Sequence, residues 1–165
     1  MRDMIMPASI FSGALSIMHP RLYDAGLRGM ELLGQRALDF NDTAMFETLS
    51  PWPTVFTNVS LIANRETPLH RDPRSQANWF DLLVNVGDHN GCVLSLPSLG
   101  VELAYNPGTV VAFSGRLLQH GANAVDGNRY CLTYYMRDNI HRWLNVPQCD
   151  WMQVSDVESL LLPLL

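Results

Sequence analysis

Residues 54–72 read TVFTNVSLIANRETPLHRD. The first part, 54–64, is rich in β-branched and aromatic residues and reads as a strand. It leads to His70-Arg71-Asp72. In extended chain, residues i and i+2 point to one face. The spacing therefore predicts that His70 and Asp72 ligate one metal while Arg71 points away. Working outward, 109–114 (TVVAFS) follows the Pro107-Gly108 turn and reads as a buried strand, with His120 just past its end. Arg129 opens the next strand, 130–136 (YCLTYYM).

His70, Asp72 and His120 are the ligand set of a two-His-one-carboxylate facial triad. Such a triad binds ferrous iron and leaves positions open for substrate and oxygen. Arg129 is the expected anchor of a co-substrate carboxylate, because a planar fork donor suits a carboxylate better than an ammonium does.

At 165 residues the chain is long enough for one domain with a full core. No apolar run approaches the ~20 residues of a membrane span. Arg2, Asp3 and Pro7 make the N-terminus read as the start of the fold rather than a signal peptide. Cys92, Cys131 and Cys149 have no close pairing, which suggests reduced, structural thiols and an intracellular site. The net charge is −5, which excludes nucleic-acid binding by bulk electrostatics alone. Every Lys/Arg-type cation is Arg. Seven of them (65, 71, 74, 116, 129, 137 and 142) lie in the middle of the chain, so the excess of acids falls outside the metal region.

Residues 20–39 show apolar positions near helical spacing, with Leu22, Leu27, Met30, Leu33 and Leu38 on one side. Gly26, Gly29 and Gly34 weaken that helix. Residues 41–53, with Pro51-Trp52-Pro53, read as a connector. Short strands follow at 79–86, 92–96, 101–105, 109–114 and 130–136, broken by Gly, Pro and Asn turns. A short helix is expected after Asp138, then an apolar tail, 160–165. The fold class is mainly β with N-terminal helices (α+β), a double-stranded β-helix of the jelly-roll, cupin-like kind. The expected organisation is one domain over 1–165: a helical part at 1–53, the β-helix core at 54–143 and a tail at 144–165. His19, before Pro20, reads as a helix-start residue, His89 as solvated in a Gly-rich turn, and His141 as structural. No Ser-His-Asp or Cys-His pattern, phosphate-binding Gly loop or paired-Cys zinc motif stands out.

The stretch from Asn64-Arg65 through His70-Arg71-Asp72, Trp79-Phe80-Asp81, Tyr105-Asn106-Pro107-Gly108 and His120-Gly121 to Arg129 and Tyr134-Tyr135-Met136-Arg137-Asp138-Asn139 resembles the TET/J-binding-protein branch of iron(II)/2-oxoglutarate dioxygenases, especially compact fungal members. The resemblance covers roughly 55–143. It implies oxidation of a base methyl group, most often 5-methylcytosine in DNA, to 5-hydroxymethylcytosine and beyond, with Fe(II), 2-oxoglutarate and O2 as cofactors. By position, His70, Asp72 and His120 are the metal ligands. Arg129 holds the 2-oxoglutarate distal carboxylate, with Asn64 and Cys131 beside it; Cys131 stands where the family often has Ser. Arg65 and Tyr135 match residues on the two faces of a flipped base, and Arg137 matches a base-edge reader. The resemblance also implies methylated DNA as partner and a nuclear site; a monomer without membrane association is expected. Rival readings are oxidation of N6-methyladenine, thymine, a small molecule or a protein side chain, and a non-catalytic module that binds a modified base.

Overall fold

The computed structural model describes residues 2–161. The chain forms two compact units. One comprises residues 1–57 and 137–165, the other residues 58–136.

The first unit is helical. A 3-10 turn, Arg2–Met4, leads into α1, Ile5–Met18. Pro7 falls in the first turn of α1, where the backbone N–H it lacks would have no helical partner. The helix α2, Pro20–Asp39, starts with proline at its first position. His19 caps it, its Nδ1 accepting the Leu22 N–H at 3.3 Å. The face of α2 that is buried is Leu22, Ala25, Gly26, Gly29 and Ala37. Leu27 and Leu38, expected on that face, are 41% and 55% exposed. Gly26 and Gly29 thus sit where the helix packs, whereas a Cβ on Gly34 would meet open space. A Cβ on Gly29 would meet His141 Nε2 at 3.5 Å, so that residue lets its neighbour come close.

The expected connector at 41–53 contains a third helix, α3, Thr43–Leu49, capped by Asp42 Oδ1 accepting from Met45 N at 3.0 Å. Thr54–Phe56, read as strand, belong to the helical unit. Ser12 Oγ donates to Thr54 Oγ1 and accepts the Val55 N–H, which draws this segment onto α1. The expected short helix after Asp138 is α4, Asp138–Trp143. The expected tail carries a further helix, α5, Val154–Leu161; Leu162–Leu165 lie outside the described residues. Among the described residues no helix is long and apolar enough to cross a membrane.

The second unit holds eight strands: β1 Asn58–Ala63, β2 Thr67–His70, β3 Asp81–Gly87, β4 Val93–Leu96, β5 Val101–Ala104, β6 Val110–Phe113, β7 His120–Ala122 and β8 Arg129–Tyr135. They form two four-stranded antiparallel sheets, ordered β1-β8-β3-β6 and β2-β7-β4-β5. Apart from the β4–β5 hairpin within one sheet, successive strands alternate between the two sheets, as the expected double-stranded β-helix requires. Between the sheets lies a core of Leu83, Cys92, Leu94, Leu96, Tyr105, Phe113, Ala122 and Cys131.

His89, read as solvated, is 2% exposed. The turn after β3 folds its ring back so that Nε2 lies 3.3 Å from Asn85 Oδ1, while Asn85 Nδ2 donates to the Tyr105 carbonyl. All three cysteines are free thiols, with Cys92 and Cys131 buried.

Candidate metal centre

β2 and β7 pair so that His70 lies directly opposite His120. Their rings are 4.2 Å apart between centroids. His70 Nδ1 is 2.9 Å from the Pro68 carbonyl and His120 Nδ1 is 3.0 Å from the Leu118 carbonyl. A carbonyl only accepts, so each Nδ1 carries the proton and each Nε2 presents its lone pair. Both lone pairs face Asp72. Its Oδ1 is 3.6 Å from His70 Nε2 and its Oδ2 is 3.7 Å from His120 Nε2. One ligand atom from each of the three residues falls within 4.8 Å of the others. Two oriented imidazoles and a carboxylate at this separation fit a divalent first-row metal, and the backbone carbonyls fix the ring orientation as metal-bound histidines need. Burial, with His70 nearby, holds His120 below its ordinary pKa against the opposing pull of the Leu118 carbonyl and Asp72. That favours the neutral, ligating form.

Two details differ from the sequence-based expectation. Asp72 does not share a strand with His70: β2 ends at His70, and Asp72 sits in the following turn, its N–H bonded to the Gly115 carbonyl at 2.9 Å. His120 does not trail β6 but opens a three-residue strand of its own.

Residues without an expected role complete the surroundings. Gly115 lies against the Asp72 carboxylate, and a Cβ there would also come within 2.8 Å of Asp81 Oδ2. Asp81 is buried at the start of β3 and accepts from Ser75 Oγ at 3.2 Å. Phe113 packs its ring edge on His120 at 4.9 Å between centroids. An acid opening an otherwise apolar run, Asp81 before Leu82-Leu83-Val84, was the available sequence signal. Nothing in sequence marks Gly115 from other glycines after strands.

Arg129, the first residue of β8, is 3% exposed. Asn64 and Arg129 exchange two bonds: Asn64 N–H donates to the Arg129 carbonyl, and Arg129 N–H donates to Asn64 Oδ1, both at 2.8 Å. Asn64 takes up a left-handed φ of 49° to make them. The guanidinium donates from one terminal nitrogen to the Arg65 carbonyl at 2.9 Å and lies 5.7 Å from the Tyr105 ring centre. Its Nε has no hydrogen-bond partner among the described residues, and no carboxylate there forms an ion pair with it. Cys131, two residues on and on the same face, has its Sγ 3.4 Å from the Tyr105 hydroxyl. Burial pushes the Cys92 thiol up in pKa, with Arg129 pulling the other way. A buried guanidinium with no anion is a costly arrangement, and it fits an anionic ligand.

The three residues expected around a base are not gathered in one place by the pairing register. Tyr135 pairs with Asn58 at one end of the β1–β8 ladder, its hydroxyl 3.1 Å from Ser60 Oγ. Arg65 is exposed just past the other end, where Ala63 pairs with Tyr130. Arg137 belongs to the helical unit, its N–H donating to Thr57 Oγ1 at 3.3 Å ahead of α4.

A double-stranded β-helix with a His-x-Asp/His triad defines an oxygenase scaffold. The chain belongs to the Tet_JBP family, the oxygenase domain of the 2OGFeDO superfamily, whose model matches residues 3–138. That match extends the resemblance read at 55–143 back through the helices. Membership implies Fe(II) and 2-oxoglutarate as the family's cofactors. No curated protein matches the chain. Solved structures that resemble it include NgTET1 in complex with 5mC DNA, at 16% identity and a TM-score of 0.49, covering 64% of this chain. This chain spans 42% of that one. The QdtA 3,4-ketoisomerase of Thermoanaerobacterium thermosaccharolyticum is 17% identical with a TM-score of 0.36, covering 51% of this chain and 61% of its own. The polyketide cyclase RemF of Streptomyces resistomycificus is 18% identical with a TM-score of 0.34, covering 64% of this chain and 69% of its own.

Proposed function

We propose that this chain is an Fe(II)/2-oxoglutarate-dependent dioxygenase that oxidises the methyl group of a nucleic-acid base, with 5-methylcytosine in DNA as the substrate. The observation that carries the oxygenase reading is the convergence of His70, Asp72 and His120 in a fold that also buries Arg129 with no acid partner among the described residues. The family supports the choice of a base as substrate. In this reading His70, Asp72 and His120 hold the iron, and Arg129 takes the distal carboxylate of 2-oxoglutarate. When bound, iron and 2-oxoglutarate couple methyl oxidation to co-substrate decarboxylation: the methyl, O2 and 2-oxoglutarate give hydroxymethyl, succinate and CO2.

The chain's own part is to orient and to exclude water. Asn64 braces the Arg129 backbone, Tyr105 lies beside its guanidinium with its hydroxyl on Cys131, and Phe113 packs against His120. Tyr135 offers an aromatic face to a base; Arg65, on the loop that leads to His70, is assigned to the base's other face by its position in the family pattern. Arg137 is assigned to the base edge by its position in the family pattern. A base must leave its stack to enter such a site. A DNA substrate would place the protein's work in the nucleus.

The test is nucleoside mass spectrometry after incubation with iron, 2-oxoglutarate and oligonucleotides carrying 5-methylcytosine, N6-methyladenine or thymine alone. The expected product is 5-hydroxymethylcytosine. Anaerobic addition of iron and 2-oxoglutarate should also give a visible charge-transfer band, lost in His70→Ala and Asp72→Ala. A wild-type protein without that band refutes the oxygenase reading. A band with no oxidised nucleoside moves the substrate to a small molecule or a protein side chain.

A further inference from the structure

Two loops border the metal centre. The first, 71–80, runs from the end of β2 to β3 and carries Asp72; the second, 114–119, runs from β6 to His120. They are laced to each other by arginines. Arg71 Nε donates to the Leu117 carbonyl at 3.1 Å, crossing from the first loop to the second. Arg116 donates from a terminal nitrogen to the Pro73 carbonyl, crossing back. A third, Arg74, makes no hydrogen bond or ion pair among the described residues. All three are exposed. The loops contain one acid between them, Asp72, which faces the two histidines. A chain of net charge −5 therefore presents three exposed guanidinium groups beside its metal centre with no carboxylate in ion-pair reach among the described residues.

Exposed arginines usually stabilise a fold little, and many pair with surface acids. These do neither. Each crossing arginine donates one nitrogen to a main-chain carbonyl, which holds the group in place, while the residue itself stays exposed. Held guanidinium forks lose less freedom on binding than loose side chains do. They match phosphate oxygens in pairs. We infer that Arg71, Arg74 and Arg116 form a phosphate-binding surface that grips the backbone of a nucleic-acid strand next to the metal centre. The inference rests on the reading of that centre as the place where a base is oxidised. It adds the contacts that set the strand's register, which in protein–DNA complexes are mostly made to phosphate. It also resolves the charge of the chain: attraction is local to two loops, so the bulk negative charge does not oppose it at distances beyond the ~8 Å Debye length of physiological salt.

The test is fluorescence anisotropy with a fluorescein-labelled duplex containing one 5-methylcytosine, titrated at several salt concentrations without iron or 2-oxoglutarate. Each phosphate contact contributes about 0.9 to the slope of log K against log salt on duplex DNA. Arg74→Gln should therefore lower the slope by about 0.9 and Arg71→Gln/Arg74→Gln/Arg116→Gln by about 2.7. Arg74→Gln removes charge without touching the loop lacing, so it stands even if the triple variant is unstable. The corresponding triple Lys variant should keep most of the slope. An unchanged slope in Arg74→Gln and the triple Gln variant overturns the inference, as does an equal loss in the Lys variant. Tighter binding of polyglutamate than of duplex would assign the surface to an acidic protein instead. Duplex binding with the expected slopes but no oxidised nucleoside would remove the proposed activity and leave the surface. Oxidation of methylated oligonucleotide with unchanged slopes would remove the surface and leave the activity.

Discussion

Replacing Arg129 with Met should separate what this residue does for the fold from what it does for a ligand. The guanidinium is buried, donates to the Arg65 carbonyl, interacts with the Cys92 thiol and has no acid partner among the described residues. A hydrogen bond from a charged group contributes about 1.5–3 kcal/mol. Holding a cation out of water costs several kcal/mol, and apolar replacement of buried charge is often neutral or stabilising by about 1–4 kcal/mol. The two terms predict that the ligand-free Arg129→Met protein melts at or above the wild-type temperature. Ligand binding tells the opposite story. At 100 times its Kd, 2-oxoglutarate should stabilise wild type by about 2.7 kcal/mol. For a chain of this size that is roughly 5–11 °C in Tm. Arg129→Met should lose most of that shift, because removing one partner of a buried charge pair costs about 2–5 kcal/mol. Arg129→Lys should fall between, since a point charge does not reproduce the fork. The assay is thermal unfolding of metal-loaded protein under nitrogen across a 2-oxoglutarate series. A variant that melts well below wild type without ligand, yet keeps the full ligand shift, would show that Arg129 is a structural cation and would refute the reasoning.

Gly115→Ala should weaken iron binding roughly 10–100-fold, the range seen when groups that orient a metal ligand are disturbed, because the added methyl displaces Asp72; unchanged iron affinity with a normal circular dichroism spectrum would contradict it. Burial holds His120 and His141 below the ordinary histidine pKa of 6.5. Their neutral forms are favoured in the folded state, so their contribution is fully present above pH 6.5 and is lost as pH falls from there through the depressed folded values. Tm of the metal-free protein should decline on acidification below that point, and a flat profile down to about pH 5 would exclude the effect. Tyr135→Ala and Arg65→Ala should each cost about 1–3 kcal/mol in oxidation of methylated DNA if each is a stacking face for the base. Mass spectrometry checks this, and wild-type rates in both variants would move the base pocket elsewhere.

The convergence of His70, Asp72 and His120 was legible because their residue types are rare and their spacing is chemical. Its geometry was less so. The i, i+2 rule placed His70 and Asp72 on one strand face, whereas Asp72 reaches the same point from a turn pinned by the Gly115 carbonyl. β7 escaped detection because three residues, His120-Gly121-Ala122, are too short to show a period of two. The start of β8 at Arg129 was clear, since a run of β-branched and aromatic residues follows it. In α2 the apolar period predicted a helix correctly but misjudged its face, because Ala25, Gly26 and Gly29 bury by closeness rather than by bulk. His89 sits among Gly, Asp and Asn, a composition that reads as solvent, yet its ring folds back onto Asn85 four residues earlier.

The reciprocal pair between Asn64 and Arg129 has a consequence for how this protein can be altered. The nine residues Asn64 to Asp72 begin at the bracket on Arg129 and end at two of the three metal-facing side chains. That span works as a strut of fixed length between a cation and a metal centre. Point changes along its exposed side leave both ends where they are. A single insertion or deletion shifts the anchor and the ligands together, so neither end can be retuned by loop length alone. Redesign of specificity therefore rests on substitution, at Arg65 and on the outer loop at 73–80, and not on the length of this segment.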